Sequence, residues 1–218
     1  MDLLKEEKMG HKLNPKSLRT GTFLPWRSRW FSEKEYSKYV SEDVRIRRFM
    51  AEKLMEAGLE DIEIERSGSK VKVVVIVAKP GLVIGRGGSG AELLKGELAK
   101  ISKVPAELDI VESKSPSTSA PLLADRVVTV LERRGRQYRR VLNELIEEAM
   151  SKGAKGVKIE AAGRLGGGEI ARTFKLSRGS IPLSTLRADV DFAGRFASTR
   201  YGKIGVKVWV FRGELKKD

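Results

Sequence analysis

Apolar residues along the chain change period several times, and each change marks an element. Ser32-Glu33-Lys34-Glu35 has the spacing of a capping box and predicts a short helix through Tyr39. Ser41, followed by Glu42 and Asp43 where a helix N-terminus favours negative charge, opens a second helix. Its apolar face is Ile46, Phe49, Met50, Leu54 and Ala57, and Gly58 closes it. Ile62 and Ile64 alternate within residues 61–65, Ser67-Gly68-Ser69 is a turn, and Val71 to Val77 is strongly β-prone, which predicts a hairpin. After Lys79-Pro80-Gly81 come Leu82-Val83-Ile84, a glycine-rich loop from Gly85 to Gly90, and a helix with Leu94, Leu98 and Ile101 on one face. Val104-Pro105 ends that helix, and Leu108 with Ile110 marks a strand. The order is helix, strand, strand, short helical turn, glycine loop, helix, strand.

Residues 113–119, Ser113-Lys114-Ser115-Pro116-Ser117-Thr118-Ser119, are polar enough to read as a linker. Beyond it one helix buries Leu123, Val127, Val130 and Leu131, and another buries Tyr138, Val141, Leu142, Leu145, Ile146 and Ala149. Four strand-like runs follow at residues 157–161, 172–176, 186–190 and 204–211. Two helices on a four-stranded antiparallel sheet is the economical packing. The fold class is therefore α+β in two domains. Residues 1–40 form a basic arm and short helix, 41–112 the first domain, 113–119 the linker and 120–218 the second domain. Gly163-Arg164-Leu165-Gly166-Gly167-Gly168 interrupts the second sheet with a loop whose backbone can approach a partner closely.

Charge changes the picture from a fold to a class of partner. The 218 residues carry 43 Lys plus Arg against 29 Asp plus Glu, a formal charge of +14, so polyanions are expected to bind. In residues 9–31 basic side chains are interleaved with Phe23, Trp26, Trp30 and Phe31. Such an arm suits RNA, with cations on phosphate and rings on bases; the same rings could instead fasten the arm to its own protein. The absence of cysteine excludes thiol chemistry and disulfides, and the single histidine, His11, removes histidine triads and histidine-rich metal sites. No catalytic residue, metal or cofactor is expected, and no apolar run reaches the length of a membrane span.

The glycine loop carries two competing chemistries. Gly85, Gly87 and Gly90 spell G-x-G-x-x-G, the dinucleotide fingerprint, and Glu107 and Asp109 fall near the distance required of a ribose-binding acid. The fingerprint needs its first glycine at the end of a strand, whereas the strand here ends near Ala78. A Walker loop fails for want of a following Lys-Ser or Lys-Thr. Gly85-Arg86-Gly87-Gly88 also spells G-x-x-G, the turn with which KH domains clamp single-stranded nucleic acid, and the order of elements around it fits that reading better.

Here the chain resembles a family, the universal small-subunit ribosomal protein three in its bacterial form. The resemblance runs from Met9 to Glu214 and is carried by Met9-Gly10-His11-Lys12-Leu13-Asn14-Pro15, Pro25-Trp26, Trp30-Phe31, Pro80-Gly81-Leu82-Val83-Ile84-Gly85, Leu131-Glu132-Arg133-Arg134, Gly163-Arg164-Leu165-Gly166-Gly167, Glu169-Ile170-Ala171-Arg172-Thr173, Leu186-Arg187-Ala188-Asp189 and residues 201–209. It implies a type II KH domain with a mixed three-stranded sheet, followed by the helix-pair domain. It implies a non-enzymatic constituent of the head of the small ribosomal subunit, bound to ribosomal RNA, lining the channel where messenger RNA enters and taking part in its unwinding. Head proteins ten and fourteen are the implied protein contacts, the ribosome in the cytoplasm the implied location, with an organellar origin left open.

Residue by residue, the resemblance implies RNA contact at Gly85, Arg86, Gly87 and Gly88, and messenger contact at Arg133, Arg134, Arg136, Arg139 and Arg140. Ribosomal RNA contacts are implied at His11, Lys12, Lys16, Arg19, Arg27, Arg164 and Arg172. The chain departs from the family at Asn143, where a lysine is expected, and at Gly87, commonly basic. Met1 to Lys8 lies upstream of the usual start. A free-standing KH regulator and a dinucleotide-dependent enzyme remain as alternatives.

Overall fold

The computed structural model describes residues 13–67, 70–102, 104–134 and 137–215. His11, Lys12 and Arg136 lie outside them. The first sheet has the order β1 (Ser28–Arg29), β2 (Leu59–Ser67), β3 (Lys70–Val77), β4 (Ala106–Glu112). Strands β2 and β3 form the expected antiparallel hairpin, with Ile62 opposite Val75 and Ile64 opposite Val73, and β4 runs parallel to β3. Helices α1 (Tyr36–Lys53), α2 (Pro80–Ile84) and α3 (Ser89–Ser102) complete this domain. Alternation in β3 turns Val71, Val73, Val75 and Val77 onto Ile46, Met50 and Leu98 of the helices, and all seven are buried. Leaving out β1, the observed order α1-β2-β3-α2-α3-β4 is that of a type II KH fold with a mixed sheet.

Three local expectations are corrected. The helix ending at Tyr39 and the helix starting at Ser41 are one element, α1. The Ser32 hydroxyl does accept the Glu35 N–H at 3.1 Å, but the Ser41 hydroxyl donates to the Ser37 carbonyl inside the helix. Glu42 and Asp43 do not sit at an exposed N-terminus: both are buried and paired with Arg66 at 2.9 and 2.7 Å. The arm is not merely extended, since residues 28 and 29 add β1 in parallel to the edge of β2, giving four strands instead of three.

In the second domain α4 (Ala120–Arg134) and α5 (Tyr138–Ser151) pack on an antiparallel sheet of order β6 (Arg172–Gly179), β5 (Gly156–Gly163), β8 (Gly202–Glu214), β7 (Ala188–Thr199). Leu123, Val127, Leu131, Leu142 and Ile146 meet Val157, Ile159, Val206 and Val208 in one core. Strand β7 starts two residues later than expected and continues to Thr199. An irregularity between Asp189 and Val190 shifts its register, and Gly194 and Arg195 hide its apolar alternation.

The serine-rich segment is not a free linker. Ser113, Thr118 and Ser119 are buried, and Ser113 donates its N–H to the Val77 carbonyl at 2.8 Å. Small hydroxyl side chains fit between the domains where larger polar ones could not. Arg212 of β8 closes the same junction, reaching the Thr118 carbonyl at 3.1 Å, Glu60 of the first sheet at 3.3 Å and Asp191 at 3.3 Å. Among the described residues, no helix is long and apolar enough to cross a membrane.

Candidate nucleic-acid interface

The glycine loop forms because α2 stops at Gly85, whose φ of 69° and ψ of −173° no side-chain-bearing residue adopts without strain. Arg86–Gly88 make one tight turn, with Gly87 at φ 63° and Gly88 at φ 84°, before α3 begins at Ser89. A Cβ on Gly87 or Gly88 would meet nothing within 4 Å, so both face open space where a sugar-phosphate backbone can come close. The α3 N-terminus behind them adds its positive end.

Gly90 has a different job. A Cβ there would stand 2.5 Å from the Val83 carbonyl oxygen and 3.1 Å from that of Ile84, so the third glycine lets α3 pack directly on α2. Gly90→Ala is therefore expected to cost about 1–3 kcal/mol through forced separation of two backbones, measured as a lower denaturation midpoint. An unchanged midpoint would show that the two helices separate freely. The dinucleotide reading fails on topology, since α2 lies between β3 and Gly85 and the central pair of the sheet, β2 with β3, is antiparallel. Its two candidate acids are engaged on the sheet surface, Glu107 with Lys70 at 3.3 Å and Asp109 with Lys72 at 2.9 Å.

Of the five arginines expected to face messenger, Arg133, Arg139 and Arg140 are described with their side chains, at the adjoining ends of α4 and α5. Arg133 is exposed near the α4 C-terminus. Arg139 spreads its guanidinium 5.8 Å from the rings of both Tyr138 and Phe174, which anchor it without neutralising it. Arg140 is 84% exposed and pairs with Glu144 at 2.9 Å, an i,i+4 contact worth only a few tenths of a kcal/mol. Asn143, in the lysine's place, donates to the Arg139 carbonyl at 3.1 Å and adds no charge.

Placement of the remaining sites is uneven. Arg164 is half-buried, donating to the Gly168 carbonyl at 2.9 Å, while Arg172 is exposed at the start of β6. Arg27 is half-exposed and paired with Asp61 at 3.0 Å. Lys16 is mostly enclosed and bound to Asp191. Arg19 corrects the expectation of an RNA contact, because its side chain is fully buried. Its Nε donates to the Ala188 carbonyl at 2.7 Å, Nη1 to that of Pro15 at 2.7 Å and Nη2 to that of Thr185 at 2.9 Å. Burial lowers its pKa, which Asp189 partly restores.

The arm's aromatics differ in burial, and the fastening role is seen for Trp30. Trp30 donates its indole N–H to Asp43 at 2.8 Å and packs on Tyr36 and Tyr39, whereas Trp26 and Phe31 are 65% and 82% exposed. Reading the chain alone missed Arg200, which the β7–β8 turn carries to Arg164. The only local signal was a basic residue before Tyr201-Gly202, and the pairing that makes it matter is long-range.

With this geometry established, comparison with known proteins is specific. Residues 45–118 match the KH domain family, and residues 128–210 match the family described as ribosomal protein S3, C-terminal domain. The small ribosomal subunit protein uS3 of Desulfitobacterium hafniense is 46% identical over 207 residues, covering 95% of this chain and 94% of the relative. That of Clostridioides difficile is 48% identical over 209 residues, covering 95% and 77%. The uS3 protein of Desulforamulus reducens is 47% identical, again over 95% of the chain and 94% of the relative. A KH turn, an arginine-bearing helix pair on an antiparallel sheet and full-length similarity converge: the chain belongs to the bacterial-type uS3 family of small ribosomal subunit proteins, a family of structural proteins and not of enzymes.

Proposed function

We propose that the chain is a structural, RNA-binding constituent of the small-subunit head, holding ribosomal RNA through its basic arm and second domain. On this reading its α4–α5 arginine face lines the channel through which messenger RNA enters and helps to open structured messenger. The observation that carries it is the exposed set Arg133, Arg139 and Arg140 where two helix ends meet: Arg133 and Arg139 have no carboxylate partner among the described residues, and Arg140 has only a weak surface pair with Glu144. A stationary row of guanidiniums holds phosphates of a single strand more readily than those of a duplex whose grooves it cannot enter, and so favours the separated state.

The KH turn, with open space over Gly87 and Gly88, supplies a second place for single-stranded RNA. Trp26, Val40 and Val44 line an exposed groove of about 830 Å³ suited to a protein neighbour, for which head proteins ten and fourteen are the implied partners.

Ribosomes carrying Arg139→Ala with Arg140→Ala are expected to slow at a stable messenger hairpin more than on unstructured messenger, as followed by single-ribosome translocation times. Equal slowing on both templates would contradict the unwinding role. Both residues are exposed on α5, so the substitutions leave the apolar face of the helix unchanged.

A further inference from the structure

A second glycine turn, far from the KH loop in sequence, has the same backbone shape. In Leu165–Gly167 the middle residue, Gly166, has φ 67° and ψ 12°, and Gly167 has φ 85°. The corresponding angles in the KH loop are 63° and 18° at Gly87, then 84° at Gly88. The arginines differ in place: Arg86 is the first residue of the KH turn, whereas Arg164 stands just before the second turn, which begins at Leu165. The second turn is pressed against the β7–β8 connection: a Cβ on Gly167 would come within 2.9 Å of the Tyr201 ring, and a Cβ on Gly163 within 3.1 Å of Ile204. The loop is thereby held as one wall of a cleft of about 290 Å³, whose other walls are the C-terminal part of α4 and the β7–β8 turn.

Three arginines from three separate elements line that cleft, Arg133 from α4, Arg164 from the glycine turn and Arg200 from the β7–β8 turn. Arg164 is oriented by the Gly168 carbonyl at 2.9 Å and lies 5.6 Å from the centre of the Tyr201 ring. Arg133 and Arg200 are exposed and have no carboxylate partner among the described residues. The one acid in the lining, Glu132, is engaged with the Ser198 N–H at 2.8 Å. Three cationic side chains against the single carboxylate of Glu132 leave the cleft with a net positive charge, and an anion bound there offsets the remaining repulsion.

We infer that this cleft is a further single-strand site, in which Arg133, Arg164 and Arg200 hold an RNA phosphodiester and the half-exposed Tyr201 ring supports the attached nucleoside. It rests on the proposed RNA-binding role and extends it through Arg133. A phosphodiester from ribosomal RNA and one from messenger would be recognised by the same chemistry.

The test uses the full chain and a labelled oligouridylate whose anisotropy is followed across salt concentrations. Arg200→Gln, on an exposed turn, is expected to weaken binding and to lower the log–log salt slope by about 0.7, the loss of one single-strand phosphate contact. Arg187→Gln, the same charge change outside the cleft, is expected to leave the slope in place. An unaltered slope in Arg200→Gln overturns the site. In assembled subunits a photoreactive residue at position 200 is expected to crosslink RNA, and the crosslinked strand, ribosomal or messenger, identifies the source. Crosslinks to protein alone overturn the inference. Because hairpin slowing depends on Arg139 and Arg140, the cleft and the unwinding face can fail separately.

Discussion

Arg19→Ala is expected to destabilise the protein by about 3–5 kcal/mol, read as a lower urea midpoint with an unchanged slope. The guanidinium is fully buried and donates to carbonyls of Pro15, Pro182, Leu183, Thr185 and Ala188. Alanine would leave those oxygens without donors inside a cavity, and each buried unsatisfied group costs about 1–3 kcal/mol before relaxation. Arg19→Lys should recover only part of the loss, because one ammonium cannot reach acceptors arranged around a planar fork. A loss under about 1 kcal/mol would mean that solvent replaces the guanidinium, contrary to its burial.

The next largest effect concerns Asp191, also buried, which receives the Ala120 N–H at 2.8 Å and faces Lys16 and Arg212. Burial alone would raise its carboxyl pKa, but Lys16, Arg212 and the Ala120 N–H outweigh burial and hold it below the ordinary value. A carboxyl depressed on folding adds stability above its unfolded pKa of about 3.9, and that stability disappears as pH falls through the folded pKa. Asp191→Asn should thus cost about 2–4 kcal/mol at neutral pH and leave a protein whose stability falls less steeply in acid.

Asp189, on the same strand, has the opposite sign. Its pKa is raised by burial, against a smaller opposing pull from Arg212, so its contribution is lost as pH rises through that raised value. Stability measured from acid to neutral pH separates the two. An identical acid limb in the native protein and Asp191→Asn would refute the assignment to Asp191.

How much of this could be read in the chain follows from how local each feature is. The KH order and the arginine helices rest on short periodicities and on glycines whose neighbours in sequence are their neighbours in space, and these features match the structure. Glu42 and Asp43 were misread because helix-end chemistry is a local rule, while the Arg66 that takes both lies more than 20 residues away. Ser113, Thr118 and Ser119 read as a linker by composition, yet burial between two domains is decided by packing that composition does not encode. Arg19 and Arg27 are both basic residues of the arm. Only the position of the β6–β7 connection makes one a buried hub and leaves the other half-exposed. Gly90 shows a third case, a glycine whose value lies in the carbonyls it approaches and not in its own dihedral angles.

The acceptors that Arg19 needs at Pro182, Leu183, Thr185 and Ala188 lie 163 to 169 residues downstream. During synthesis the arm therefore leaves its parent ribosome among the first residues and cannot be locked down until nearly the whole chain has followed. The loop that must close spans 163 to 169 of the 218 residues, which makes docking of the arm a late event in folding. Throughout that interval Arg19 and Lys16 lack the carbonyls and the carboxylate that hold them in the folded protein.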